Sequence, residues 1–124
     1  MPSKQILMNE GERNELIDLY FEALDAEDAS IARDALADDF VYVSSAGVLE
    51  GFEGFRTYID ELRSSSNSVH DVTLRVHDEA GSVAEGVVTA DGPDGPVEKQ
   101  FCDVFEFDEN DEQLTRVAVY LNAG

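Results

Sequence analysis

Between Glu12 and about Asp25 the apolar residues fall at Leu16, Leu19, Tyr20, Ala23 and Leu24. That is the one-sided spacing of an amphipathic helix. Asp28 is placed to cap a second helix, with Ile31, Ala35 and Leu36 on one side. Gly51 precedes a third, in which Phe52, Phe55, Ile59 and Leu62 share a stripe before Ser64 to Ser68 fray it. Between the second and third helices the pattern predicts a short strand, Phe40 to Ser44, ending near Ala46-Gly47. From Val69 onward the period changes to that of strands: Val69 to His77, Ser82 to Asp91, Val97 to Asp108 and Leu114 to Leu121. The turn clusters between them carry Gly, Pro, Asn and Asp, so consecutive strands form hairpins and the four make an antiparallel meander. Helices first and an antiparallel sheet afterwards define an α+β fold. A strongly curved sheet wrapped around helices leaves a cone-shaped interior, the natural place for a ligand.

The third strand of that meander contains an aspartate in an apolar run, Phe101-Cys102-Asp103-Val104-Phe105-Glu106-Phe107. Strand side chains alternate, so Asp103 shares its face with Phe101, Phe105 and Phe107. An ionised carboxylate in such surroundings is costly, and a raised pKa that keeps the proton on is the usual response. A neutral carboxylic acid can donate to an oxygen that gains charge, or shuttle a proton near neutral pH. The competing reading is structural: Asp103 paired with a buried Arg56 or Arg75.

With 124 residues, 43% of them hydrophobic, the chain holds one ordinary core and reads as one domain, 1–124. Nothing approaches the roughly 18 apolar residues of a membrane span. Met1 to Met8 are too short and too weakly charged for a secretory leader, so the expected location is cytoplasmic. The lone Cys102 agrees with a reducing compartment. Twenty-eight acids stand against 8 basic residues, a formal charge of −20, and the acids are spread along the whole chain. Lysine is confined to Lys4 and Lys99. This balance suits a surface screened by molar salt, with an acidic partner-binding surface as the competing reading, and it excludes nucleic-acid binding.

Other candidate chemistries are weaker. His70-Asp71 and His77-Asp78 look like a doubled pair, but a spacing of seven on one strand puts the histidines on opposite faces, roughly 23 Å apart at about 3.3 Å per residue. They cannot share a metal, and His70 alone, at the mouth of the sheet, keeps a proton-transfer role. The run Asp108-Glu109-Asn110-Asp111-Glu112 starts like a calcium loop, yet Gln113 occupies the position that requires glycine, so it reads as an acidic hairpin. Cys102 points away from the Asp103 face and has no local histidine to activate it. No metal or cofactor is implied.

The order helix, helix, short strand, helix, meander resembles the nuclear transport factor 2-like superfamily, and within it the SnoaL-like and ketosteroid-isomerase-like branches. The resemblance rests on Leu19 to Asp28, on Ala37-Asp38-Asp39-Phe40-Val41, on Gly51, on Asp103 to Asp108 and on the closing strand up to Tyr120. It implies an oxyanion-stabilising tyrosine at Tyr20 and a neutral oxyanion-stabilising aspartate at Asp103. The isomerase base falls at Ser44, which cannot abstract a carbon-bound proton and is left as a polar positioning residue. The aromatic that supports the tyrosine in some relatives falls near Ile59. Classical steroid isomerisation is therefore not expected.

Likeness and strand parity together give the cavity walls: Phe40, Tyr42, Phe55, Tyr58, Phe101, Val117, Val119 and Leu121, each of which could equally be plain core. Three functions remain open. The chain is a cofactor-free isomerase, cyclase or lyase acting through Asp103 and Tyr20 on a small apolar carbonyl compound. Or it holds such a ligand without turnover, or it is an interaction domain with a vestigial cavity. A homodimer is expected in any case, through the outer face carrying Cys102, Val104, Arg116, Ala118 and Tyr120.

Overall fold

The computed structural model describes residues 8–122. The segment before Met8, on which most of the leader reading falls, lies outside the described residues. Helix α1 (Glu10–Ala26) starts two residues earlier than its apolar stripe, because Asn9 caps it by accepting from the Glu12 amide at 3.1 Å. Its buried face carries Leu16, Ile17, Tyr20, Phe21, Ala23 and Leu24. The expected second helix is a 3₁₀ segment, Ala29–Ala35, capped by Asp28, whose Oδ1 accepts from the Ser30 amide. The buried residues Ala29, Ala32 and Ala35 recur every third position, which is the period of the tighter helix. Ile31 is therefore only half buried, and Leu36 already belongs to the next strand.

Strand β1 (Leu36–Ser44) turns tightly into β2 (Gly47–Glu50), a short edge strand that the hydrophobic pattern does not reveal. Helix α2 (Gly51–Thr57) continues through one π-type turn, Tyr58–Leu62. That widened turn rotates Leu62 off the buried stripe and leaves it 46% exposed. The meander follows as β3 (Ser66–Asp78), β4 (Gly81–Gly92), β5 (Gly95–Phe107) and β6 (Leu114–Asn122). Ser66 to Ser68 open β3 rather than fraying the helix before it. The six strands form one mixed sheet in the order β2-β1-β6-β5-β4-β3, antiparallel throughout except that β1 runs parallel to β6. The helices lie on its inner face, and the core is where they meet Phe40, Tyr42, Phe101, Phe105, Leu114 and Val117.

Val72 pairs with Gly86 and Leu74 with Glu85, so Thr73 is an extra residue on β3. Such a bulge reverses the alternation beyond it. This corrects one expectation: His70 and His77 face the same, inner side of the sheet, not opposite sides. His70 packs on Phe21 and Phe101, and His77 Nδ1 lies 2.7 Å from the hydroxyl of buried Ser82. Opposite the bulge β4 needs a residue without a side chain. A Cβ on Gly86 would meet the Asp71 carbonyl oxygen at 2.0 Å.

Arg13, on the first turns of α1, is buried with its charge. Nη1 donates to the carbonyls of Asp78 (2.7 Å) and Gly81 (3.1 Å) in the β3–β4 turn and to Ser82 Oγ. Nε lies 3.1 Å from Asp111 Oδ2, at ion-pair distance though not aligned as a hydrogen bond. Asp111 in turn accepts from the Asn9 amide, so one arginine ties the start of α1 to two hairpin turns. The acidic β5–β6 turn is thus a structural joint. Among the described residues no helix is long and apolar enough to cross a membrane.

Candidate functional site

Between the inner face of the sheet, α1 and the π-type turn lies a cavity of about 340 Å³. Its depth is set by Tyr20, Tyr42, Phe101 and Asp103, all nearly without solvent contact, and its mouth by Leu62, Val97 and Leu121, which are exposed. Alternation along β5 delivers Asp103 between Phe101 and Phe105, with Ala84 and Val119 beside it on the neighbouring strands. Asp103 is 2% exposed, and its Oδ1 is buried without any hydrogen-bond partner. The arginines that could have paired with it are engaged elsewhere: Arg56 with Glu53 and Asp60, Arg75 with Asp18 and Asn14. Burial alone pushes the Asp103 carboxyl up to about 8. Burial thus favours the neutral acid, and the structural ion-pair reading fails because neither Arg56 nor Arg75 pairs with it.

Beside it the Tyr20 hydroxyl meets that of Tyr42 at 3.0 Å, and the Tyr42 and Tyr58 rings pack at 4.9 Å. Burial, then the neighbouring Tyr42 and Asp103, push the Tyr20 phenol well above the usual range; burial and Tyr58 do the same to Tyr42. Three phenols and one carboxylic acid converge on the apolar end of the cavity, with the Tyr20 and Tyr42 hydroxyls bonded to each other. Tyr42 enters this group through its hydroxyl as well as its ring.

The remaining residues singled out from the sequence divide. Tyr58, Phe101, Val119 and Leu121 line the cavity. Phe55 and Val117 are fully buried behind it, as is Phe40, which packs edge-on against Phe55. Ser44 is not in the lining; its Oγ accepts from the Ala46 amide, and Ser45 takes its place at the wall. Cys102 lies on the outer face, its thiol pushed up by burial and by Glu85 and Asp103, the wrong direction for a nucleophile.

The pair that sequence reasoning missed is His70 with Asp25. His70 lines the cavity, and its Nδ1 lies 2.5 Å from Asp25 Oδ1, while its backbone amide donates to Oδ2 at 3.0 Å. Ser68 Oγ donates to the same carboxylate. Burial pushes the Asp25 carboxyl up, but the hydrogen bonds from His70 and Ser68 outweigh it and hold the group below its ordinary value. With Nδ1 engaged, Nε2 is the nitrogen left for a ligand. Adjacency in sequence suggested Asp71 as the partner, but Asp71 points outward; the true partner sits at the end of α1.

The sequence model of the SnoaL-like domain matches residues 17–117, and the chain belongs to that family. Solved structures agree on the fold. A provisionally assigned polyketide cyclase from Xanthomonas campestris is 21% identical, with 93% of each chain covered and a TM-score of 0.78. An LEH-like epoxide hydrolase from M. tuberculosis is 22% identical, covering 90% of this chain and 84% of that one, with a TM-score of 0.74. A nuclear transport factor 2-like protein of unknown function from Burkholderia pseudomallei is 13% identical over 94% and 93%, with a TM-score of 0.79. No curated protein matches the chain in sequence. The α+β fold is thus that of the nuclear transport factor 2-like superfamily.

Proposed function

We propose that the cavity takes a small, mostly apolar carbonyl compound and that Asp103 works on it as a cofactor-free acid–base group, in an isomerase, cyclase or lyase reaction. The observation that carries this is a buried, unpaired carboxylic acid among phenols at the closed end of an apolar pocket. Neutral Asp103 donates its hydrogen to an oxygen that gains charge, with Tyr20 as a second donor held in place by Tyr42. A pKa near the working pH lets one carboxyl both give and take a proton, so no second base is needed at Ser44. The names of the cyclase and epoxide hydrolase neighbours fit acid–base work in this scaffold, without fixing the reaction.

Binding of 2-naphthol, followed by its fluorescence, tests this. Its hydroxyl imitates an enol oxygen. Asp103→Asn and Tyr20→Phe should each weaken binding by about tenfold, or 1.4 kcal/mol, while remaining folded. Wild-type affinity in both would overturn the assignment.

Self-association is the second element of the reading, carried by the outer face. Val76, Val83, Val104, Ala118, Val43 and Val48 are paired in register as one aliphatic row across all six strands. Ala118 is already covered by its neighbours, but Tyr120, Leu74, Val76 and Val48 stand exposed beside it. A second copy offers the same uncharged stripe on an otherwise acidic surface. Light scattering in high salt should report a dimer, and Val104→Lys a monomer; a wild-type monomer at tens of micromolar would refute it.

A further inference from the structure

The distribution of positive charge says more about the ligand than the apolar walls do. Acids make up 28 of the 124 residues, yet among the described residues Asp103 is the one acid lining the cavity. Basic residues are scarce, and the described ones are nearly all occupied. Arg13, Arg56, Arg75 and Arg116 each pair with a carboxylate, and Arg33 lies over the Phe52 ring. Arg33, Arg63 and Lys99 have no carboxylate partner among the described residues; Arg33 is stacked on Phe52 outside the cavity, whereas Arg63 and Lys99 line it.

Their placement is built into the fold. Lys99 lies on the inner face of β5, four residues from Asp103 and in one register row with Val88 and His70. Four strand residues span about 13 Å, so Lys99 stands at the open end while Asp103 stands at the closed one. Arg63 follows the π-type turn and is oriented by one bond, Nη1 donating to the Leu24 carbonyl at 2.9 Å. A guanidinium has five N–H donors, so most of its capacity remains for a ligand. Ser64 and Ser65 add hydroxyls at the same wall. Asp25, the carboxylate behind His70, is bonded to it and is not in the lining.

We propose that Arg63 and Lys99 form an anion-binding rim, and that the compound taken by the cavity carries a carboxylate at the end remote from the oxygen that meets Asp103. Two isolated cations without a cradle of backbone amides suit a single carboxylate better than a phosphate. The substrate class is then an aromatic or alicyclic oxo- or hydroxy-carboxylate, polar at both ends and apolar between. The inference rests on the proposed role of the cavity and adds polarity and direction to its ligand. It also means that an anion is gathered from solution by a protein of charge −20, so the rim must outweigh the field of the surrounding surface. Molar salt removes most of that opposing field while leaving short-range bidentate contacts largely intact.

The test compares 6-hydroxy-2-naphthoate with its methyl ester, by fluorescence titration in molar potassium chloride. The carboxylate should bind at least about tenfold more tightly, and Lys99→Met and Arg63→Met should each shrink that ratio of affinities, measured with both probes in the same variant. The Lys99 side chain is partly exposed and makes no hydrogen bond or ion pair among the described residues, so its variant tests the rim even if Arg63→Met is destabilised. Equal affinity for the two probes, or an advantage unchanged in Lys99→Met, overturns the rim while 2-naphthol binding leaves the cavity reading intact. If neither probe nor 2-naphthol binds, the cavity reading itself fails, and the rim with it.

Discussion

The hydroxyls of Tyr20 and Tyr42 meet 3.0 Å apart in the core, one reaching from α1 and the other from β1, with Asp103 beside them. Neither phenol nor the carboxyl has a cation to offset ionisation, so this corner of the molecule is stable only while it is protonated.

Its pH dependence follows with a definite sign. The folded Asp103 carboxyl titrates at about 8, well above an unfolded aspartate near 3.9. Between those values the native state holds a proton that the unfolded chain has lost, so the contribution is full below about pH 4 and falls as pH rises towards 8. The slope is about 1.4 kcal/mol per pH unit at most. Urea unfolding of the wild type and Asp103→Asn from pH 5 to pH 8 should show the wild type losing ground steadily to the variant. A constant difference would mean that Asp103 is ionised in the fold. Carboxyl-carbon NMR should give the same midpoint directly.

Arg13 is the charge on which the narrow end of the fold depends. Arg13→Met strands Asp111 with a charge and leaves two hairpin carbonyls unpaired, and should cost about 3–5 kcal/mol in chemical denaturation. Adding Asp111→Asn, which keeps an acceptor for the Asn9 amide, should recover part of it. A loss under about 1 kcal/mol would show that water replaces the guanidinium.

Gly86→Ala should destabilise by about 1–3 kcal/mol or more, since its methyl group would press on the Asp71 carbonyl and the Phe101 ring. Alanine at Gly11 in the first turn of α1, where an added Cβ would make only an ordinary contact with Asn9 Oδ1 at 3.7 Å, is the control and should be neutral or mildly stabilising. Thermal melts of the two would separate close packing from backbone freedom.

Repulsion among 28 acids should make stability rise with ionic strength, as the Debye length falls from about 10 Å at 0.1 M to about 3 Å at 1 M. A melting temperature that is flat up to molar potassium chloride would refute the salt-adapted reading and shift the explanation of the acidic surface to a partner.

The meander, α1 and the buried aspartate were legible because each follows from a period: two along β5, three to four along α1. What escaped are features that break a period or join distant segments. Thr73 adds one residue to β3 and turns His77 inward, and nothing in the alternation of that strand marks it. His70 finds Asp25 only because the end of α1 lies against β3, a contact with no local signature. Arg13 sits in an amphipathic helix where an arginine ordinarily faces water. The four residues of β2 are too few to show a pattern, and Ser44 fell one residue short of the wall for the same reason: its position depends on a turn, not on parity.

The strand order carries a consequence for how the chain reaches this state. β6 lies between β1 and β5, with Tyr42 and Phe105 both paired to Val117. Strands β3, β4 and β5 can zip together hairpin by hairpin as local contacts form. The hairpin of β1 and β2, with the helix that follows it, has no place in the sheet until Leu114–Asn122 arrives. Pairing between segments so far apart in sequence is slow, because loop closure precedes any gain in contacts. Folding should therefore be limited by a late docking event, and Val117 should be formed in its transition state only if that docking is itself the barrier. Until then the edge of β5 is open to another chain, which makes the final strand the segment on which escape from aggregation depends.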